Sequence, residues 1–218
     1  MMRQDFLLAV ITAPASLPGE ADFLEGLLEA GLEKLHLRKP GMKGLAGSER
    51  GEEVEKLEGL LERLAPRWHS RLVLHGSPEL AKRYKIPQIH GAVGAAGGAI
   101  PVSTSVHSWE EAKKLPEEIA YAFISPLFDS ISKPGYMANS VLLQRPADPP
   151  RCRMIGLGGI CEKTIGTMIL HGWDGAAVLG WLWEEPREAV RRFGRLKEVI
   201  NEQNYYEGTT QGIGGGGL

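Results

Sequence analysis

Four of the six histidines, His36, His75, His90 and His107, stand at or near the ends of short runs with strand character: Lys34–Arg38, Leu72–His75, Gln88–His90 and Val102–His107. An imidazole titrates near neutrality, so it can give and take a proton, and it is a common metal ligand. His107 lies between Ser105 and Ser108, where a strand turns into a helix. That placement lets its ring face a pocket, and it is the candidate for proton transfer. The cluster also admits zinc by ligand type. Magnesium prefers oxygen donors, and no Asp or Glu occurs between Leu80 and Trp109. The plainer alternative is that each histidine packs or hydrogen-bonds on its own.

A second group of residues suits an anion. Gly156-Leu157-Gly158-Gly159-Ile160 ends one apolar run just before a helical stretch, and Gly180 follows the next run. Glycines there let backbone N–H groups approach a phosphate, although tight turns alone would also use them. Arg38 offers a guanidinium fork. Ser130, Ser132 and Lys133 place two hydroxyls and a point charge in one loop.

These residues need a frame. Apolar runs at Phe6–Ile11, Lys34–Arg38, Leu72–His75, Gln88–His90, Val102–His107, Tyr121–Ser125, Met154–Leu157 and Ala176–Leu179 read as eight strands. Between most of them lie amphipathic stretches. Ala21–Ala30 and Glu52–Leu64 repeat leucines at helical spacing, Ser77-Pro78 and Ser108-Trp109-Glu110-Glu111 are helix-start signals, and helices are expected at Glu162–His171 and Pro186–Asn201. Strands alternating with helices pair in parallel, and eight of them close into a single compact (β/α)8 TIM barrel spanning residues 1–206. An open doubly wound sheet would carry a glycine-rich turn after the first strand, where Thr12-Ala13-Pro14-Ala15 stands instead. Residues 207–218 are polar and glycine-rich and are expected to be a disordered or vector-derived tail.

Composition narrows the partners. The 218 residues carry 25 Lys and Arg against 27 Asp and Glu, a net charge of −2, which argues against a nucleic-acid or anionic-lipid coat. No apolar run approaches the ~18 residues of a membrane helix, and a cytoplasmic location is expected. Cys152 and Cys161 flank one strand-like run and are expected to be free thiols.

Taken in order, several segments resemble one family. They are His36-Leu37-Arg38-Lys39, Ser105-Val106-His107-Ser108, the run from Ser125 to Gly135, Gly158-Gly159-Ile160 and Gly172 to Val178. The set is similar to thiamine phosphate synthase and to its relative in the same superfamily, thiazole tautomerase, over about the first 185 residues. The resemblance implies a thiamine-pathway barrel that binds a thiazole phosphate. Gly158, Gly159 and Gly180 would hold the phosphate, Ser130, Ser132 and Lys133 would match the pyrophosphate loop, and Arg38 the strand-two arginine. His36 and His75 would line the substrate site.

The sequence departs from the synthase pattern at informative places. Glutamine is expected where His36 stands, and a basic residue where Pro40 stands, Lys39 being one position early. An Asn-Asp pair is expected where His75-Gly76 stands, and an aspartate after His90 is missing. Those changes remove the Mg²⁺ and pyrophosphate clamp that the synthase needs. The tautomerase needs neither metal nor leaving group, only one imidazole to relocate a proton, and His107 matches that histidine. The expectation is therefore an isomerase without cofactor, Mg²⁺ entering only in the synthase alternative. Its partner would be a small thiazole phosphate, with neither nucleic acid nor membrane, and with room for a homo-oligomer. A binding barrel without chemistry and a histidine-cluster metalloenzyme are the further alternatives.

Overall fold

The computed structural model describes residues 6–39, 52–93, 102–129 and 139–212. Eight strands close a barrel in chain order: β1 (Leu7–Ile11), β2 (Lys34–Leu37), β3 (Leu72–His75), β4 (Gln88–His90), β5 (Ser103–Val106), β6 (Tyr121–Ile124), β7 (Arg153–Leu157) and β8 (Gly175–Val178). Every neighbouring pair is parallel, including β1 with β8, which closes the ring. This is the compact (β/α)8 barrel that the strand spacing predicts.

Period-two alternation sorts each strand into a lumen face and a helix face. On the helix face, Leu35, Leu37, Leu72, Leu74, Ala122, Ile124, Met154, Ala176 and Val178 join the leucines of α1 (Glu20–Glu29) and α2 (Glu52–Trp68) in the main core. The lumen is divided. Leu7, Ala9, Ile11, Tyr121, Phe123, Ile155 and Ala177 form a separate apolar cluster on the side of β1, β6, β7 and β8. Strands β2 to β5 instead contribute Lys34, His36, His75, Gln88, His90, Ser103 and Ser105, bonded to one another across the lumen. One half of the barrel interior is therefore oil and the other is a polar, hydrogen-bonded wall.

The helix starts follow their sequence signals. Ser77 accepts from the Leu80 N–H to open α3 (Pro78–Arg83), and Ser108 accepts from the Glu111 N–H to open α4 (Trp109–Lys113). Two four-residue helices, α5 (Ser140–Leu143) and α7 (Gly180–Trp183), are new, being too short to show a period. The helix expected from Glu162 begins at Ile165 as α6 (Ile165–Leu170). Thr164 explains the delay: its hydroxyl accepts from the Cys161 N–H and donates to the Gly159 carbonyl, holding the chain in a turn.

The last helix, α8 (Ala189–Gly212), runs past residue 201 and into the segment expected as a disordered tail. Residues 207–212 are helical, since extending an existing helix is far cheaper than starting one, and 213–218 lie outside the described residues. Both cysteines are free. Among the described residues no helix is long and apolar enough to cross a membrane.

Candidate functional site

At the centre of the polar half, His36, His75 and His90 meet. His36 Nδ1 is 3.0 Å from His75 Nε2, and the buried Tyr121 hydroxyl is 2.8 Å from His36 Nε2. His90 lies between two serines, with Ser103 Oγ 2.9 Å from Nδ1 and Ser105 Oγ 3.0 Å from Nε2. The His75 and His90 rings stack with centroids 4.2 Å apart, and His36 meets each of them edge-on at 5.2 and 5.5 Å. Burial pushes all three pKa values down: His36 well below its ordinary value, His75 to about 2 and His90 to about 4. Mutual repulsion adds to this for His36 and His75, and Arg38 for His75 and His90. Burial likewise raises the Tyr121 phenol to about 12. The three imidazoles and the phenol are therefore uncharged near pH 7.

Arg38 follows β2 with its side chain exposed at the mouth. Its backbone is fixed from below: Thr12 Oγ1 accepts from the Arg38 N–H at 2.9 Å and donates to its carbonyl at 3.0 Å. Lys39 takes another course. Instead of serving the mouth it is buried, with Nζ 2.6 and 2.8 Å from the Glu20 carboxylate oxygens and 3.0 Å from the Ala13 carbonyl. It thus ties the loop after β1 to α1 and does not substitute for the family's second base. Lys39→Met, which strands Glu20 in the interior, is expected to cost about 3 kcal/mol in urea unfolding, and the pair Lys39→Met with Glu20→Leu to recover most of that loss. Equal costs in the single and double variants would remove the ion pair from this role.

His107 follows β5 at the mouth. Its N–H donates to Glu111 at 2.8 Å, and its exposed ring places Nδ1 3.5 Å from the Ser125 carbonyl. The ring's other nitrogen has no partner among the described residues. Two strands away, Gly158 and Gly159 adopt φ of +102° and +64°. A Cβ on Gly159 would lie 2.5 Å from the Asp129 carbonyl oxygen, and one on Gly158 would lie 3.1 Å from Pro126. Both glycines therefore answer a packing demand from the segment after β6, the Gly158 carbonyl also accepting the Phe128 N–H. Their own N–H groups have no partner among the described residues. Gly180 opens α7, so its N–H has no bond within that helix. The Trp183 indole donates to the Ile11 carbonyl at 2.7 Å and ties α7 across the top of β1.

The site residues taken from the sequence thus fall into two groups around one mouth. His36 and His75, with His90, form the lumen wall, and Arg38 stands above it. His107 and the amides of Gly158, Gly159 and Gly180 lie on the ends of β5, β7 and β8. Ser130, Ser132 and Lys133 lie outside the described residues. The sequence reading passed over Tyr121, Ser103 and Ser105, although strand parity aims them at the same lumen. His171, at the end of α6, is partly buried, its Nδ1 donating to the Thr167 carbonyl.

The donor set does not fit magnesium. The turns that leave β3, β4 and β5 (residues 76–77, 91–102 and 107–108) contain no Asp or Glu, and the polar wall presents imidazoles and hydroxyls where a hard cation needs carboxylates.

No family model matches the chain. A thiamine-phosphate synthase of Listeria welshimeri is 28% identical over 97 residues, 42% of this chain and 47% of that protein, so the match spans about half of that relative. One of Listeria monocytogenes is 23% identical over 178 residues, covering 75% of this chain and 80% of that protein. The crystal structure of thiamine phosphate pyrophosphorylase from Bacteroides thetaiotaomicron superposes with a TM-score of 0.66 at 25% identity, covering 89% of this chain and 97% of that one.

Proposed function

We propose that the chain, a diverged member of the thiamine phosphate synthase superfamily, binds a thiazole phosphate and moves a proton on its ring. The amides of Gly158, Gly159 and Gly180 hold the phosphate, Arg38 takes a ring carboxylate, and His107 gives and takes the proton. Strands in a barrel wall lie about 4.8 Å apart. The ends of β5 and β7 are therefore roughly 10 Å apart, a span that a small heterocycle with a phosphate arm can bridge. The step needs no metal and no leaving group.

The observation that carries this reading is a substitution of chemistry. Where the synthase pattern places an Asn-Asp pair and a further aspartate, this mouth has His75-Gly76 and a stretch from residue 80 to residue 109 without Asp or Glu, and the nearby Glu111 carboxylate accepts the His107 N–H. Ionising a diphosphate ester calls for cations to neutralise the departing pyrophosphate, whereas a proton shift calls for one imidazole.

The synthase itself is the second reading, favoured by the names of the relatives, with Asp129 the one carboxylate in the segment after β6. A single pair of assays separates the two. Thiazole carboxylate phosphate in D₂O is expected to exchange its ring proton in the presence of the protein, with the same rate with or without Mg²⁺. Thiazole phosphate plus pyrimidine diphosphate is expected to give no thiamine phosphate. Mg²⁺-dependent formation of thiamine phosphate, or the absence of proton exchange, would reverse the order.

A further inference from the structure

We propose that His36, His75 and His90 form a three-imidazole site for a zinc-class divalent metal in the barrel lumen. The inference stands on the geometry of the lumen and is independent of the thiazole reading; the proton shift assigned to His107 makes no use of the metal.

One ring nitrogen from each histidine lies within 4.8 Å of the others. In a tetrahedral zinc site with bonds of about 2.0–2.1 Å, ligating nitrogens stand about 3.3 Å apart. His36 Nδ1 and His75 Nε2, at 3.0 Å, need to open by only a few tenths of an ångström. The same geometry sets imidazole centroids about 5.2 Å apart. His36 meets this condition with both partners, at 5.2 Å to His75 and 5.5 Å to His90. The His75–His90 stack, at 4.2 Å, is about 1 Å short. His75 is the ring placed to move: it ends β3 and is the least buried of the three.

The surroundings are those of a metal site as well. Metal-ligating histidines are oriented by a partner on the other ring nitrogen. Tyr121 supplies that partner for His36, occupying Nε2 and leaving Nδ1 turned toward His75. Ser103, fully buried, can do the same for His90 Nδ1, and Ser105, 3.0 Å from Nε2, has to release that nitrogen for it to ligate. Three neutral nitrogen ligands select zinc, cobalt, nickel or copper over magnesium or calcium. Three protein ligands also leave a fourth position open, the pattern of sites that bind a small molecule. His75, at the end of β3, is the least buried of the three and Arg38, after β2, is exposed, so the fourth ligand would be water or an anionic oxygen.

The experiment uses the full chain, stripped with chelator and free of any affinity tag, titrated with cobalt(II) and with zinc. The expected result is uptake of one equivalent, with the intense visible absorption of tetrahedral cobalt and histidine nitrogen ligation. His75→Gln and His90→Gln, checked for retained fold by circular dichroism, are expected to bind about 100-fold more weakly or worse. Tyr121→Phe, which keeps all three ligands, is expected to bind about 10- to 100-fold more weakly. The exposed His69→Gln is expected to bind as the parent chain does. No uptake by the parent chain, or uptake that survives both ligand substitutions, would overturn the proposal.

Discussion

Replacing His107 by alanine is expected to slow proton exchange on thiazole carboxylate phosphate by about 10²- to 10⁴-fold, the range that one positioned acid-base group supplies. Binding should change little. The amides proposed to hold the phosphate sit on the ends of β7 and β8, and Arg38, proposed to take the carboxylate, follows β2, so in this reading no element that grips the ligand depends on the imidazole. The fold should also survive. Among the described residues the exposed ring meets only the Ser125 carbonyl, at 3.5 Å, and the contact that anchors this turn is the His107 N–H on Glu111, which alanine retains. Deuterium uptake followed by NMR gives the rate, and calorimetric titration with thiazole phosphate gives the affinity. An unchanged rate would move the chemistry elsewhere in the mouth. A parallel loss of affinity would make His107 a binding residue.

The wall of the barrel was largely legible in the sequence. Strands buried on both faces read as short apolar runs, and all eight appear within a residue or two of their expected places. What was not legible depends on single local contacts. The turn held by Thr164 delays α6 past the residues where helical spacing already begins, and α5 and α7 are shorter than any periodic signal. Likewise, α8 continues through polar residues that carry no apolar stripe, because no proline interrupts it.

The site was legible by residue type and illegible by partnership. Four strand-end histidines mark a polar mouth, but only the closed ring, with His36 registered against Val73 and His75 against His90, shows that three of them share one lumen. Tyr121 and Ser103 were reachable from strand parity. Lys39 was not: its burial depends on Glu20 standing in the first turn of α1, 19 positions earlier, and the sequence offers 27 acidic residues as alternatives. The glycine pair carries a double meaning that spacing alone cannot separate. Packing against the segment after β6 requires both residues to be glycine, and the same packing leaves their N–H groups open.

Metal-free protein is expected to lose stability steeply as pH falls from 7 toward 5, by up to about 1.4 kcal/mol per pH unit for each buried imidazole. The sign follows from where the protons go. An unfolded histidine titrates near 6.5, whereas the folded values lie lower, at about 4 for His90, at about 2 for His75 and well below the ordinary value for His36. Between those limits the unfolded chain holds more protons, so acid favours unfolding. The stabilisation is whole above the unfolded value, declines below it and is exhausted at the folded values. Lys34 and Arg38 bound the cluster with positive charge, and among the described residues no carboxylate is hydrogen-bonded to any of the three rings, so none offsets a proton taken up there. Because the rings share a hydrogen bond and a stack, each proton taken up hinders the next, and the titration steps belong to the cluster rather than to single rings. Urea midpoints between pH 7 and 5.5, above the range where carboxylates titrate, isolate this effect, and His75→Gln should make the slope shallower. A stability that stays level across that interval would mean the three imidazoles are hydrated in solution, and the neutral, buried histidine cluster of the lumen would have to be abandoned.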